Sequence, residues 1–160
     1  MATIRTSSVR LGLSGVPLAY VTTLCKSTTT LGDAAPTAIG SGYYASSEVP
    51  TDFTRVLFRV VMSSSSAAAG DEAVVDLYDS NGVLNAGVPA VVAGSEVDTT
   101  TGSVPLGAPA ADPLVPTTYE ADVTAAFAGF SGKGSFEARL WCSSGAALAT
   151  CGSAELIFTR

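Results

Sequence analysis

The chain contains no histidine, and only eight of its 160 residues are lysine or arginine. Without histidine there is no Ser-His-Asp triad, no Cys-His dyad and no imidazole-ligated metal. Serine–lysine chemistry needs a placed lysine, and Lys26 and Lys133 both sit in turn-like sequence. The phosphate-cradling loop GxxxxGK[ST] and the dinucleotide fingerprint GxGxxG are missing, and Gly12-Leu13-Ser14-Gly15 fails the spacing of a nucleophile elbow. Cys25 has only neighbouring Lys26 to depress its pKa, which is a poor arrangement for a nucleophile. The chain therefore reads as non-enzymatic, with no catalytic set, cofactor site or metal site expected.

Positive charge is scarce and scattered. Net charge is −6, and the segment from Asp71 to Asp122 holds nine acids and no lysine or arginine. A basic surface that tracks phosphates is absent, which excludes ordinary nucleic-acid binding. Charged residues make up 14%, against ~25% in an average soluble domain. A weakly charged polar surface suits packing against copies of itself, because little charge must be desolvated. Asp71, Glu72, Asp76 and Asp79 could serve Ca²⁺ or act as paired carboxylates. The ordinary alternative is solvation: Glu72 and Asp76 share parity with Val74 and Tyr78, on the face read as outward.

No run of ~20 apolar residues exists, so no membrane-spanning helix is expected. Arg5 and Arg10 precede an apolar stretch, Leu11 to Leu24, that superficially resembles a signal peptide. Gly12, Ser14, Gly15, Pro17, Thr22 and Thr23 interrupt it, and the reading is a chain without a cleaved leader. The three cysteines, Cys25, Cys142 and Cys151, have neither zinc spacing nor a CxxC pair. If the last two strands formed a plain hairpin, register would set Cys142 against Thr150 and away from Cys151. A bulge or a crossing between sheets would lift that objection; free thiols and an intracellular folding compartment are the expectation.

What is present is alternation. Hydrophobic residues make up 47%, enough for a sizeable core. The strongest strand is Phe53 to Met62, with Val56, Phe58, Val60 and Met62 on one face. Glu72 to Asp79 follows with Ala73, Val75 and Leu77 inward, and Asp79-Ser80-Asn81-Gly82 marks a turn. Val88 to Ala93, Glu96 to Thr101, Tyr119 to Thr124, Phe136 to Cys142 and Ala154 to Thr159 read as further strands. Tyr43 to Ala45 reads as a short one, and a helical turn or two is expected only around Val123 to Phe127. Ser63–Ala69, Gly102–Pro116 and Ala128–Gly134 read as loops. Residues 1–40, with strands near Val9–Leu13 and Leu18–Leu24, are expected to form an extended N-terminal arm, and 41–160 the main domain. Seven to nine strands without repeats predict an all-β, two-sheet β-sandwich with jelly-roll or Greek-key wiring.

Trp141 falls on the outward face of its strand, where a sugar could stack on the indole. Tyr78 and Tyr119 would complete such a platform, and Tyr43 and Tyr44 could join it. The bland alternative is burial under a loop or at a subunit contact.

The succession RVLFRVVMSSSS, AVVDLYDSNG, VVAGSEVDTTT, TYEADVT, FEARLWCSS and AELIFTR, over residues 53–160, resembles small jelly-roll virion proteins of tailed bacteriophages, such as head decoration (cement) proteins. The resemblance implies a homo-oligomer, trimeric or otherwise, made in the host cytoplasm and bound to a capsid or another virion protein at the virion surface. It brings no catalytic residues. Carbohydrate-binding modules share the fold class and are the alternative.

Overall fold

The computed structural model describes residues 7–11, 17–25, 27–44, 53–106 and 112–160, with side chains at 19–25, 27–40, 53–106 and 112–160. The strands are β1 (Ser7–Leu11), β2 (Pro17–Cys25), β3 (Thr29–Leu31), β4 (Thr37–Tyr44), β5 (Arg55–Ser64), β6 (Ala73–Asp79), β7 (Ala90–Val91), β8 (Val97–Asp98), β9 (Thr117–Asp122), β10 (Gly134–Cys142) and β11 (Ala149–Thr159). One 3₁₀ turn, Thr124–Phe127, stands where the sequence suggested a helical turn.

Two antiparallel sheets pack face to face. Sheet A runs β1-β2-β11-β5-β9, with β3 also on β11; sheet B runs β4-β10-β6-β7, with β8 also on β6. The pairs nest: β2 with β11, β4 with β10, β5 with β9, and β6 with β7 and β8. The chain is thus one long hairpin rolled up, with successive pairs alternating between the sheets, which is jelly-roll wiring.

The inward faces follow the alternation. Val56, Phe58, Val60 and Met62 of β5 meet Ala73, Val75 and Leu77 of β6, and Phe136, Ala138 and Leu140 of β10 face Ala154, Leu156 and Phe158 of β11. One end of the core is closed by rings: Phe127 lies 5.2 Å from Phe130, 5.3 Å from Phe136 and 5.4 Å from Phe158. The contacts with Phe130 and Phe158 are edge-to-face, a geometry that adds attraction beyond the area it buries.

Several expectations change. The division at residue 40 falls inside β4, and residues read as an arm build the sandwich: β2 lies between β1 and β11, and Tyr20, Leu24 and Cys25 are in the core. The stretch Ser27–Gly40, read as turn-rich, supplies β3 and half of β4. Strands expected at Val88–Ala93 and Glu96–Thr101 shrink to two residues each. Between them Ser95, fully buried, accepts from the Leu77 amide at 3.0 Å and donates to the Leu77 carbonyl at 3.2 Å. A serine side chain thereby fills the gap in the ladder on β6. The Asp98 carboxylate then gathers the amides and hydroxyls of Thr100 and Thr101, which turns the chain out of β8. The residues Gly12 to Gly15, Lys26, Ala45 and positions 107–111 of the long loop lie outside the described residues, as do the side chains of Arg5, Arg10, Tyr43 and Tyr44.

β10 and β11 are consecutive in sequence yet belong to different sheets. The plain hairpin that would oppose Cys142 to Thr150 is not formed. Thr150 instead faces Ser63 and Thr30.

Candidate functional site

Two surfaces carry the chemistry the sequence singled out. The first is the outer face of sheet B. Every second residue of β10 points there, so Glu137, Arg139 and Trp141 are half-buried while their neighbours are buried. In register they face Tyr78, Asp76 and Val74 of β6. The pleat alone brings Trp141 and Tyr78 to one face, ~14 Å apart along the strand direction.

Arg139 organises this face. Its Nε and Nη2 donate to Glu137 Oε2 at 3.3 and 3.1 Å, and its guanidinium carbon stands 3.6 Å from the Tyr78 ring centroid. A cation over an aromatic face is held by the ring quadrupole. One face of Tyr78 is therefore occupied, and among the described residues Trp141 is the half-buried outward ring of the predicted platform on β10.

Asp76 departs from the expected solvated carboxylate. It is only 2% exposed, and its Oδ1 has no hydrogen-bond partner. Burial pushes its pKa up to about 6; Arg139 across the ladder pulls the other way, and Glu96 reinforces the rise. The sequence hides this because burial here comes from cross-strand neighbours on an otherwise outward face.

Tyr119 is not on this surface at all. It is the largest fully buried side chain, on the inner face of sheet A, and its hydroxyl donates to the Thr99 carbonyl at 3.3 Å. Its parity with Ala121 and Val123 is the signal that would have placed it inward.

The four acids of the 71–79 segment separate. Asp79 is fully buried and accepts the amides of Val83 at 3.1 Å and Leu84 at 2.8 Å, closing the turn after β6. Gly82 takes a positive φ of 68° there, and a side chain would strike the backbone of Gly87 and Val88. Asp71 and Glu72 lie beyond the other end of β6, where the hydroxyls of Ser144 and Ser143 hold their carboxyls below the usual range. Among the described residues no three cysteine, aspartate or glutamate side chains converge on a point that could hold a metal ion.

The second surface is the end of the sandwich where Asp71 and Glu72 sit. The loops after β5 and β10 and the segment before β9 meet there. The Ser65 amide donates to the Leu148 carbonyl at 2.9 Å, the Leu148 amide to Ser65 Oγ at 2.8 Å, and the Ser64 amide to the Pro113 carbonyl at 2.6 Å. These bonds place Leu148 and the Pro113–Val115 segment at the same end of β5, Leu148 on its β11 side and Pro113–Val115 on its β9 side. Leu114 is 52% exposed, Val115 51% and Leu148 51%. Sequence reading missed this trio, since each is an isolated apolar residue in a loop. The loops at this end also carry Asp33, Asp71, Glu72 and Asp112 and, among the described residues, no lysine or arginine.

The three cysteines are buried free thiols. Cys142 belongs to sheet B, where its Sγ lies 3.7 Å from Ser144 Oγ. Cys25 and Cys151 both belong to sheet A, where the Cys25 thiol donates to the Ser27 carbonyl at 3.2 Å and the Cys151 thiol to the Ser153 carbonyl at 3.3 Å, and each thiol shifts the pKa of the other.

Comparison with protein-family models and with curated proteins finds no match for the chain.

Proposed function

We propose that this protein is a non-enzymatic virion structural protein, a capsid-decoration or related virion-surface module that acts through contacts with its own copies and with a capsid lattice. The observation that carries the reading is the loop end of the jelly roll. It presents Leu114, Val115 and Leu148 half-exposed on tied loops, among acids and, in the described residues, no lysine or arginine. Clustered apolar side chains on an otherwise polar surface mark interaction sites. The resemblance of residues 53–160 to small virion jelly rolls points the same way, and with it come a homo-oligomer, assembly in a host cytoplasm and a final place on the virion surface.

The test is the mass of the full chain in solution. Sedimentation velocity is expected to give a discrete oligomer with a contact of at least ~1,000 Å². Leu114→Asp with Leu148→Asp should convert it to a folded monomer. A wild-type chain that stays monomeric and does not co-sediment with purified phage heads would end this reading.

A second reading, a carbohydrate-binding module, rests on Trp141 alone in its outward position. Tyr119 no longer supports it, and Tyr78 offers one ring face at most.

A further inference from the structure

Cys25 and Cys151 stand at a fork in sheet A. β11 is paired to β3 at Cys151, opposite Thr29, and to β2 from Ala154 onward, opposite Cys25. The chain leaves β2 at Cys25 and re-enters the sheet four residues later, so both cysteines lie where β11 passes from one partner to the other. Opposite β5, register shifts between Cys151 and Ser153, which marks a bulge at the same place. Both side chains face inward, Cys25 1% exposed and Cys151 fully buried. Each sulfur also contacts a carbonyl two residues on, Cys25 Sγ with Ser27 at 3.2 Å and Cys151 Sγ with Ser153 at 3.3 Å.

We propose that Cys25 and Cys151 form a redox-active dithiol site that closes to a disulfide joining β2 to β11. The two cysteines that meet the same fork of sheet A are the two most distant in the sequence. Cys142, the sequence neighbour of Cys151, belongs to the other sheet.

The pair also divides its protons in the way the chemistry needs. Cys151 lowers the pKa of the Cys25 thiol against the opposing effect of burial. Cys25 and burial in turn raise that of Cys151, which keeps its proton more tightly. Cys25 is therefore the attacking thiolate.

The electron acceptor is a low-molecular-weight disulfide such as oxidised glutathione. The Cys25 thiolate attacks one glutathione sulfur, forming a mixed disulfide and expelling one glutathione thiolate. Cys151 gives its proton to that thiolate and attacks Cys25 Sγ, expelling the second glutathione as a thiolate that takes a proton from water. Two protein thiols are oxidised to one disulfide, and one glutathione disulfide is reduced to two thiols.

The test is intact mass and peptide mapping of the full chain after equilibration with excess oxidised glutathione. It is run on folded protein and on protein refolded from urea in the same buffer, with acid quench and alkylation. The expected product is lighter by two hydrogen atoms, has one alkylatable thiol where the reduced chain has three, and yields a Cys25–Cys151 linked peptide. It should melt at a higher temperature than the reduced chain. Cys142→Ser should form the same link, and Cys25→Ser should not. Three alkylatable thiols under both conditions, or a link that contains Cys142, overturns the proposal, and the wild-type map decides this even if a variant fails to fold.

Discussion

The guanidinium of Arg139 lies 3.6 Å from the ring centroid of Tyr78. It also donates to Glu137, and it leaves Asp76, the residue opposite it in register, with one carboxylate oxygen unpartnered. The face is therefore stabilised by a cation–aromatic contact at the cost of a poorly served buried acid.

A pH dependence follows. Asp76 has its folded pKa raised to about 6 from an ordinary value of 3.8. A raised pKa means that the protonated carboxyl is the better fit to the fold. This group's contribution is fully present below pH ~4 and is lost as pH rises through ~6. Asp76→Asn should remove that slope and raise stability at pH 7.5 by up to about 3 kcal/mol. Urea melts of both chains at pH 5 and pH 7.5 check this; equal pH slopes in the two would contradict it.

Asp79 should behave in the opposite sense on substitution. Its carboxylate is the acceptor for two amides of the turn after β6, so Asp79→Ala removes the acceptor of both the Val83 and the Leu84 amide. The expected loss is about 2–3 kcal/mol. Hydrogen exchange of the Val83 and Leu84 amides should speed up selectively, and unchanged protection there would refute the assignment.

Gly40 has no room for a side chain. A Cβ at this position would overlap the Leu24 carbonyl and press on Cys25, because β4 crosses close to the end of β2. Gly40→Ala should destabilise the fold by about 1–3 kcal/mol or more, as other overpacking substitutions do. Thermal melting measures it, with Gly87→Ala as a contrast in which the backbone conformation rather than space is the obstacle.

Trp141→Ala separates the two functional readings. It removes a half-buried outward ring beside Val74 and should cost about 1–2 kcal/mol of stability while leaving the oligomer intact. Loss of glycan binding in a folded variant would instead favour the carbohydrate reading.

The inward faces of β5, β6, β10 and β11 were legible because parity fixes which side chains share a face. Parity does not say which strand lies alongside. The placement of β10 and β11 in different sheets, and hence the pairing of Cys151 with Cys25, came only with the fold. β4 was illegible for a local reason: Gly40 and Gly42 weaken a strand signal, yet Gly40 is what lets the strand pass Leu24. Trp141 was correctly read as outward. Tyr119 was misread because its aromatic character outweighed its parity with Ala121 and Val123. The burial of Asp76 depends on β10, which lies alongside it in the sheet but follows four strands and some sixty residues later in the chain, and no local pattern encodes that.

The nesting of the strand pairs sets an order on biosynthesis. β11 lies between β2 and β5 and is the last strand of the roll, so those two have no shared neighbour until residues 149–159 have been made. Sheet A therefore assembles around its latest-arriving member, while β4, β10 and β6 can already pair. Such long-range closure makes folding slow. It also makes a ribosome stall or premature stop before residue 149 release a chain whose central strands are open edges, the form most prone to aggregate.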